Sequence, residues 1–79
     1  MARHFSGQLL RESRKAAGVS IEQLAISIGR SAYSVQEYQR GRVTPPIDVL
    51  AAMAEALGRP IEDLLIEDAS SVIAAGTAA

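Results

Sequence analysis

The stretch Ile21–Arg40, which reads IEQLAISIGRSAYSVQEYQR, decides the fold. Its small and apolar residues recur at helical spacing around one glycine, at Leu24, Ala25, Gly29, Val35 and Tyr38. The small side chain of Ala25 allows a second helix to cross closely, and Gly29 permits the positive φ of a tight turn. The pattern predicts two short helices joined by that turn, with the outward face of the second helix in water.

Helical spacing continues on both sides of this stretch, and short turns containing Gly or Pro separate the segments. Ser20 and Gln23 stand at the spacing of a capping box, which indicates a helix start. We predict no strand and five helices, near residues 6–17, 20–28, 31–40, 46–57 and 61–65. The expected fold class is all-α, a five-helix orthogonal bundle. Its predicted core residues are Leu10, Leu24, Ala25, Ile28, Val35, Tyr38, Leu50, Met53, Ala54, Leu57, Ile61 and Leu64.

A chain of 79 residues allows one small domain. We place this domain at residues 1–68, with the two-helix motif at 20–40, and expect residues 69–79 to form a flexible tail. Fourteen of the hydrophobic residues are alanine, so the core is thin and burial against a partner is expected. Apolar residues at positions 61 and 64–66 cover more than one helix face, which predicts a homodimer in which Leu65 or Ile66 meets a symmetry mate.

Composition argues against several classes of site. The chain has no Cys, which excludes disulfides and thiolate metal sites, and His4 is its only histidine. We expect that histidine in a frayed N-terminus and predict no metal and no cofactor. Without paired carboxylates, a nucleophile–base pair or a phosphate-cradling glycine loop, we expect no enzyme. The sequence has neither a long apolar run nor a signal-peptide core, so we expect a cytoplasmic protein with no membrane segment.

Charge is uneven along the chain, although the formal net charge is −1. Residues 1–46 carry seven basic and three acidic groups, a balance of +4. Residues 47–79 carry one basic and six acidic groups, a balance of −5. This asymmetry suggests that the N-terminal part meets an anionic partner, although a solvated helix face would produce the same pattern.

Two short helices around a glycine turn are the pattern of a helix-turn-helix, whose second helix enters a DNA major groove. Residues 9–65 resemble the Cro and phage-repressor (XRE-type) helix-turn-helix family almost without gaps. The resemblance is carried by Arg14, Gly18, Ser20, Leu24, Ala25, Gly29, Ser31, Val35, Arg40, Gly41, Pro45, Leu50, Ala54, Leu57, Gly58, Ile61 and Leu64. It implies a five-helix fold that binds palindromic, double-stranded operator DNA, usually as a two-fold dimer.

The resemblance also implies which side chains meet DNA. On the predicted helix 31–40, the residues that face base edges are Ala32, Tyr33, Ser34 and Glu37. The residues expected to contact phosphates are Arg30, Ser31, Gln36, Arg40 and Arg42. There are structural alternatives: Tyr33 could cover a neighbouring turn, Glu37 could pair with Arg40 at i,i+3, and the arginines could be solvated. Arg11 and Lys15 are expected on a solvated helix face.

Three positions depart from the family pattern. Ile21 stands where the family has a Gln that holds a phosphate, so one phosphate anchor is lost or moved. Gln39 stands where the family pairs a Glu with an Arg, which predicts a weaker, neutral hydrogen bond for Arg14. Arg30 replaces an aliphatic residue, and its stem can lie along the surface while its guanidinium reaches a phosphate.

Two functions remain open. The first is a sequence-specific DNA-binding transcriptional regulator of the stand-alone Cro-like repressor, restriction–modification controller or antitoxin type. The second is a protein–protein interaction adaptor that keeps the fold without binding DNA. A positive surface over residues 30–42 favours the regulator, whereas a surface dominated by Glu37 favours the adaptor.

Overall fold

The computed structural model describes residues 3–67, and four α-helices account for most of this part of the chain. They are α1 (Gly7–Ala16), α2 (Ile21–Ile28), α3 (Ala32–Gln39) and α4 (Ile47–Leu57). A 3₁₀ turn at Ile61–Leu64 follows α4. Two three-residue strands, β1 (Arg3–Phe5) and β2 (Leu65–Glu67), precede and follow these helices. Over the same residues, the helices are too short and too polar to cross a membrane.

The last predicted helix is a 3₁₀ turn, and the prediction of no strand was wrong. Pro60 precedes the turn, and its carbonyl accepts a hydrogen bond from the Asp63 N–H at 3.1 Å. The chain then becomes extended because β2 pairs antiparallel with β1, with His4 opposite Ile66. His4 therefore lies in a paired strand and not in a frayed terminus. This pairing satisfies backbone groups at both ends of the domain, and it joins segments too distant in sequence for local spacing to reveal it.

Serine side chains begin three of the four α-helices. Ser6 Oγ accepts a hydrogen bond from the Leu9 N–H at 3.2 Å. Ser20 forms the predicted capping box, because its hydroxyl accepts from the Gln23 N–H and the Gln23 side chain accepts from the Ser20 N–H. Ser31 Oγ caps α3 by accepting a hydrogen bond from the Ser34 N–H, without the reciprocal bond of a capping box. These caps satisfy N–H groups that the start of a helix leaves unpaired, and they define where α2 and α3 begin.

The hydrophobic core forms where α2 packs against both α3 and α4. Its buried side chains are Leu10, Leu24, Ala25, Val35, Tyr38, Val49, Leu50, Met53, Ala54, Leu57 and Leu64. Ten of the twelve predicted core residues are among them, whereas Ile28 and Ile61 are only partly buried and Val49 is buried in addition. Five of these residues belong to α4, which packs against α2, the first helix of the helix-turn-helix pair.

Gly7 allows α1 to approach the end of α3. It is buried, and a Cβ at this position would collide with the carbonyl oxygens of Tyr38 and Gln39. The colliding atoms are backbone atoms, which cannot rotate away as a side chain would. A glycine is therefore required at this contact, which holds α1 close to the last residues of α3.

The predicted tail at residues 69–79, together with residue 68 at the predicted domain end, lies outside the described residues.

Candidate nucleic-acid interface

Gly29 sets the turn that places α3 against α2. It ends α2 with a φ of 70°, in the left-handed region that glycine adopts without strain. The next residue, Arg30, donates its N–H to the carbonyl of Ala25 at 3.0 Å and so closes the end of the helix. Ala25 itself is 3% exposed and belongs to the core. A small buried residue and a tight turn together allow the two helices to pack closely.

Helix α3 has a core face and an open first turn. Val35 and Tyr38 are buried and anchor the helix. Tyr33 keeps 69% of its surface exposed, so its ring is not buried over a neighbouring turn. Its neighbours Ala32 and Ser34 are half-buried. The start of α3 therefore presents an aromatic ring, a methyl group and a hydroxyl group close together.

The hydroxyl groups of Ser31 and Ser34 are joined by a hydrogen bond of 3.1 Å. Ser31 Oγ donates to Ser34 Oγ and accepts from the Ser34 N–H, so the Ser31 hydroxyl is used within the helix start. The Ser34 hydroxyl keeps its own hydrogen for an acceptor outside the protein. Ser31 thus orients the side chain of Ser34 in addition to capping α3.

Glu37 does not lie on the open face where the sequence analysis placed it. The residue is 7% exposed, and its Oε2 forms an ion pair with NH1 of Arg40 at 3.5 Å. This geometry agrees with the alternative that Glu37 pairs with Arg40 at i,i+3. A carboxylate buried to this degree is stabilised by a partner of opposite charge. The main chain of Glu37 also ends the helix, because its carbonyl accepts the Arg42 N–H at 3.0 Å. Glu37 therefore contacts Arg40 through its side chain and Arg42 through its main chain.

The predicted phosphate ligands lie before and after the open turn of α3. Arg30 and Ser31, which precede the helix, are exposed. At the other end Arg42 is exposed, and 56% of the Arg40 side chain is accessible despite its ion pair. Gln36 is half-buried. Cations thus flank both ends of the helix, and the one acidic side chain of α3 is nearly covered.

The structure brings Arg14 and Gln39 together. Arg14 Nε donates to Gln39 Oε1 at 2.7 Å, and Arg14 NH1 donates to the carbonyl of Val19 at 2.8 Å. One guanidinium therefore connects α1, the loop before α2, and the last residue of α3.

A groove of about 400 Å³ lies between α1 and the end of α3. Its lining residues are Arg11, Arg14, Lys15, Ile21, Gln36, Gln39 and Arg40, and none of these carries a carboxylate. The sequence analysis gave Arg11 and Lys15 no role beyond a solvated face. One signal could have found them: with Arg14 they form an i, i+3, i+4 set, and Arg14 had a partner predicted on the third helix. We call this feature the α1–α3 groove.

The described surface gives no support for a metal site. Within residues 3–67, no cluster of three or more His, Cys, Asp and Glu side chains is placed to hold a metal ion. His4 is exposed on β1. The open turn of α3 and the neighbouring basic groove combine exposed polar groups with positive charge, which suits a polyanion.

Residues 7–65 match the family model described as a helix-turn-helix domain. The chain belongs to the XRE-type helix-turn-helix family of DNA-binding transcriptional regulators. An uncharacterized HTH-type transcriptional regulator from Methanothermobacter thermautotrophicus is 38% identical over 61 residues, which cover 76% of this chain and 88% of that relative. The predicted family membership is thereby confirmed.

Solved structures show the same fold. The restriction-modification controller protein C.AhdI from Aeromonas hydrophila superposes with a TM-score of 0.70 at 34% identity, over 73% of this chain and 88% of that one. SinR, a master regulator for biofilm formation whose structure was solved in complex with DNA, gives a TM-score of 0.67 at 25% identity, over 73% and 94% of the two chains. The helix-turn-helix fold is confirmed, with four α-helices and a small sheet in place of five helices.

Proposed function

We propose that this DNA-binding regulator recognises its operator through α3, which lies in the major groove. The main observation behind the proposal is that one face of α3 is buried in the core while its first turn is exposed to solvent. Val35 and Tyr38 are buried, while Tyr33 at the start of the same helix is 69% exposed. A short helix that is fixed by its core face and presents its first turn outward has the form of a recognition helix.

Three side chains at this first turn are the proposed base readers. Ala32 and Tyr33 supply apolar surface for a thymine methyl group, and the free hydrogen of the Ser34 hydroxyl suits an acceptor on a base edge. The predicted contact of Glu37 with a base edge has weaker support, because its carboxylate is nearly buried. We assign Glu37 the role of positioning Arg40.

The flanking polar residues are the proposed phosphate contacts. Arg30 and Ser31 stand before α3, and Gln36, Arg40 and Arg42 stand at its end. Contacts of this kind supply affinity and register without carrying sequence information. In this arrangement the cations bind the phosphate backbones of the two DNA strands, and the first turn of α3 contacts the bases.

The proposed active form is a homodimer. Ile66 is 43% exposed on β2, whereas its neighbour Leu65 packs against the core. Successive strand residues point to opposite faces, so Ile66 is the better candidate for contact with a second copy. A two-fold dimer would bind a palindrome whose half-sites are one helical turn apart, about 10–10.5 base pairs centre to centre.

The proposed class comprises Cro-like repressors, restriction–modification controllers and antitoxins. Support comes from the similarity to the restriction-modification controller C.AhdI, 88% of whose chain is covered. The adaptor alternative required Glu37 to dominate the surface of residues 30–42. Because Glu37 is 7% exposed while Arg30 and Arg42 are exposed, the surface favours DNA.

To test the proposal, DNA sequences that bind the protein are selected from a random pool. The affinity for the tightest-binding sequence is then measured as a function of salt concentration. Tyr33→Ala should change the preferred base at one position by ~1–3 kcal/mol. Arg42→Ala should weaken binding to all sequences alike and reduce the slope of log affinity against log salt by ~0.9. Arg59→Ala is the control, because Arg59 follows α4 and pairs with Asp63.

Unchanged affinity at low salt for both Tyr33→Ala and Arg42→Ala would show that α3 is not the recognition helix. The adaptor would then become the leading function.

A further inference from the structure

Two of the four cations in the α1–α3 groove have no bonding partner within the described protein. Arg14 is bonded into the connection between α1 and α3, and Arg40 is paired with Glu37. Arg11 and Lys15 are exposed. Across residues 3–67, their side chains have neither a hydrogen-bond partner nor an ion-pair partner. The two cations line the α1–α3 groove, whose own lining carries no carboxylate, and they also line an adjoining depression that includes Glu12, whose carboxylate accepts a hydrogen bond from Gln8.

The packing of α1 holds these two side chains on the groove side. Arg11 and Lys15 are one helical turn apart, at i and i+4, so they lie on the same helix face. Leu10 and Ser13 are buried, which determines the face that α1 turns inward. Ile21 lines the groove with a purely apolar side chain, so the side-chain hydrogen-bond donors come from α1 and α3. The result is a site rich in donors and positive charge, which suits a single anionic group.

We propose that the α1–α3 groove receives one phosphate of the operator backbone and that Arg11 and Lys15 hold it. The inference rests on the proposed function, because Gln36 and Arg40 line this groove and also belong to the proposed phosphate contacts of α3. The DNA strand that passes the end of α3 continues across the groove to α1. A guanidinium and an ammonium group together donate to both free oxygens of one phosphodiester.

Lys15 also has a structural role that must be separated from DNA binding. It lies in the last turn of α1, where a positive charge stabilises the helix dipole. Loss of that interaction would lower the melting temperature of the free protein, but it would not change how DNA affinity depends on salt. The salt dependence is therefore the decisive measurement.

The test uses the full chain, the selected operator and the double variant Arg11→Gln/Lys15→Gln. At ~0.1 M salt the variant should bind about tenfold more weakly, and its log–log salt slope should fall by ~0.9, the value for one lost phosphate contact. The order of preference among DNA sequences should not change, because phosphates carry no sequence information. The control Arg3→Gln/Arg59→Gln has the same net charge but alters residues outside the groove. It should retain the parent slope.

A second measurement locates the contact on the DNA. Operators are prepared with a single backbone linkage replaced by a neutral methylphosphonate, one position at a time. One linkage in each half-site should weaken binding of the parent protein and have little effect on the double variant. Melting temperatures confirm that both proteins are folded at the assay temperature.

An unchanged salt slope in the double variant would overturn the groove contact, as would an equal loss in the control. The contact would also be rejected if every neutral linkage affected parent and variant alike. If the parent protein bound no selected DNA, the proposed function and this inference would fall together. Parent binding combined with an unaffected double variant would reject the groove contact alone.

Discussion

Arg14 on α1 donates a hydrogen bond of 2.7 Å from Nε to Oε1 of Gln39, the last residue of α3. The same guanidinium donates through NH1 to the carbonyl of Val19 at 2.8 Å. Both side chains are half-buried, so water competes less for these bonds than it would at the surface. The pair fixes the end of α3 relative to α1, and with it the shape of the α1–α3 groove.

The first prediction is that Gln39→Glu stabilises the protein. A carboxylate would turn the neutral hydrogen bond with Arg14 into a charge-assisted one, which should raise the free energy of unfolding by ~1–2 kcal/mol. Because Arg14 favours the ionised carboxylate, the gain should be present at neutral pH and disappear as acid protonates that group. Thermal unfolding at neutral and acidic pH measures both effects.

The matched control for this prediction is Gln39→Glu in an Arg14→Gln background. Without the guanidinium, the introduced carboxylate has no charged partner at this position, and the gain should vanish. A stabilisation of equal size in that background would show that the gain does not come from the pair.

The second prediction concerns Gly7 and the close approach of α1 to α3. In a helix, Gly→Ala normally stabilises by up to ~1 kcal/mol. Here the added Cβ would collide with the carbonyl oxygens of Tyr38 and Gln39, so Gly7→Ala should destabilise by ~1–3 kcal/mol, the usual cost of overpacking. Denaturant unfolding measures the change. A rise in stability would mean that α1 does not need this contact.

Local chemistry in the sequence was sufficient to predict the helix-turn-helix. The capping box at Ser20 and the glycine stop at Gly29 act within a few residues, and both are present in the structure. The β1–β2 sheet was missed because its stability comes from pairing between the two ends of the domain. By local pattern alone, Leu65 and Ile66 are compatible with a last helical turn. They form a strand because Arg3–Phe5 pairs with them.

In the candidate site, too, the features that the sequence did not predict depend on contacts between distant parts of the chain. The spacing of Glu37 and Arg40 made an ion pair foreseeable, but the burial of Glu37 depends on how the rest of the chain packs around α3. Arg11 and Lys15 were overlooked for a related reason. Their spacing with Arg14 was visible in the sequence, but their proximity to Gln36 and Arg40 on α3 appears only in the tertiary structure.

The third prediction separates a positioning role of Glu37 from base reading. Glu37→Gln keeps the size of the side chain and an oxygen acceptor for Arg40 but removes one negative charge near the DNA surface. Affinity should rise for all sequences by ~0.5–1.5 kcal/mol, the range that Coulomb's law gives for one like charge about 10 Å from a phosphate. Competition binding against operators with single-base changes measures preference and affinity together.

A change in the preferred base, instead of a uniform rise in affinity, would show that Glu37 reaches a base edge. Arg40→Gln provides the complementary control. It removes the partner of Glu37 and one proposed phosphate contact, so it should weaken binding to every sequence and reduce the salt slope.

The last prediction is that Ile66→Lys prevents formation of the proposed dimer. Ile66 is 43% exposed on β2, so burying the rest of its surface between two subunits is worth ~1 kcal/mol in each subunit, which an ammonium group would forfeit. Sedimentation equilibrium should show the parent as a dimer at high micromolar concentration and the variant as a monomer, with weaker binding to a palindromic operator. Ile26→Lys is the matched control, since Ile26 is 81% exposed on α2, away from the sheet. Equal dimerisation of parent and Ile66→Lys would exclude this face of β2, and a monomeric parent with or without DNA would exclude the dimer itself.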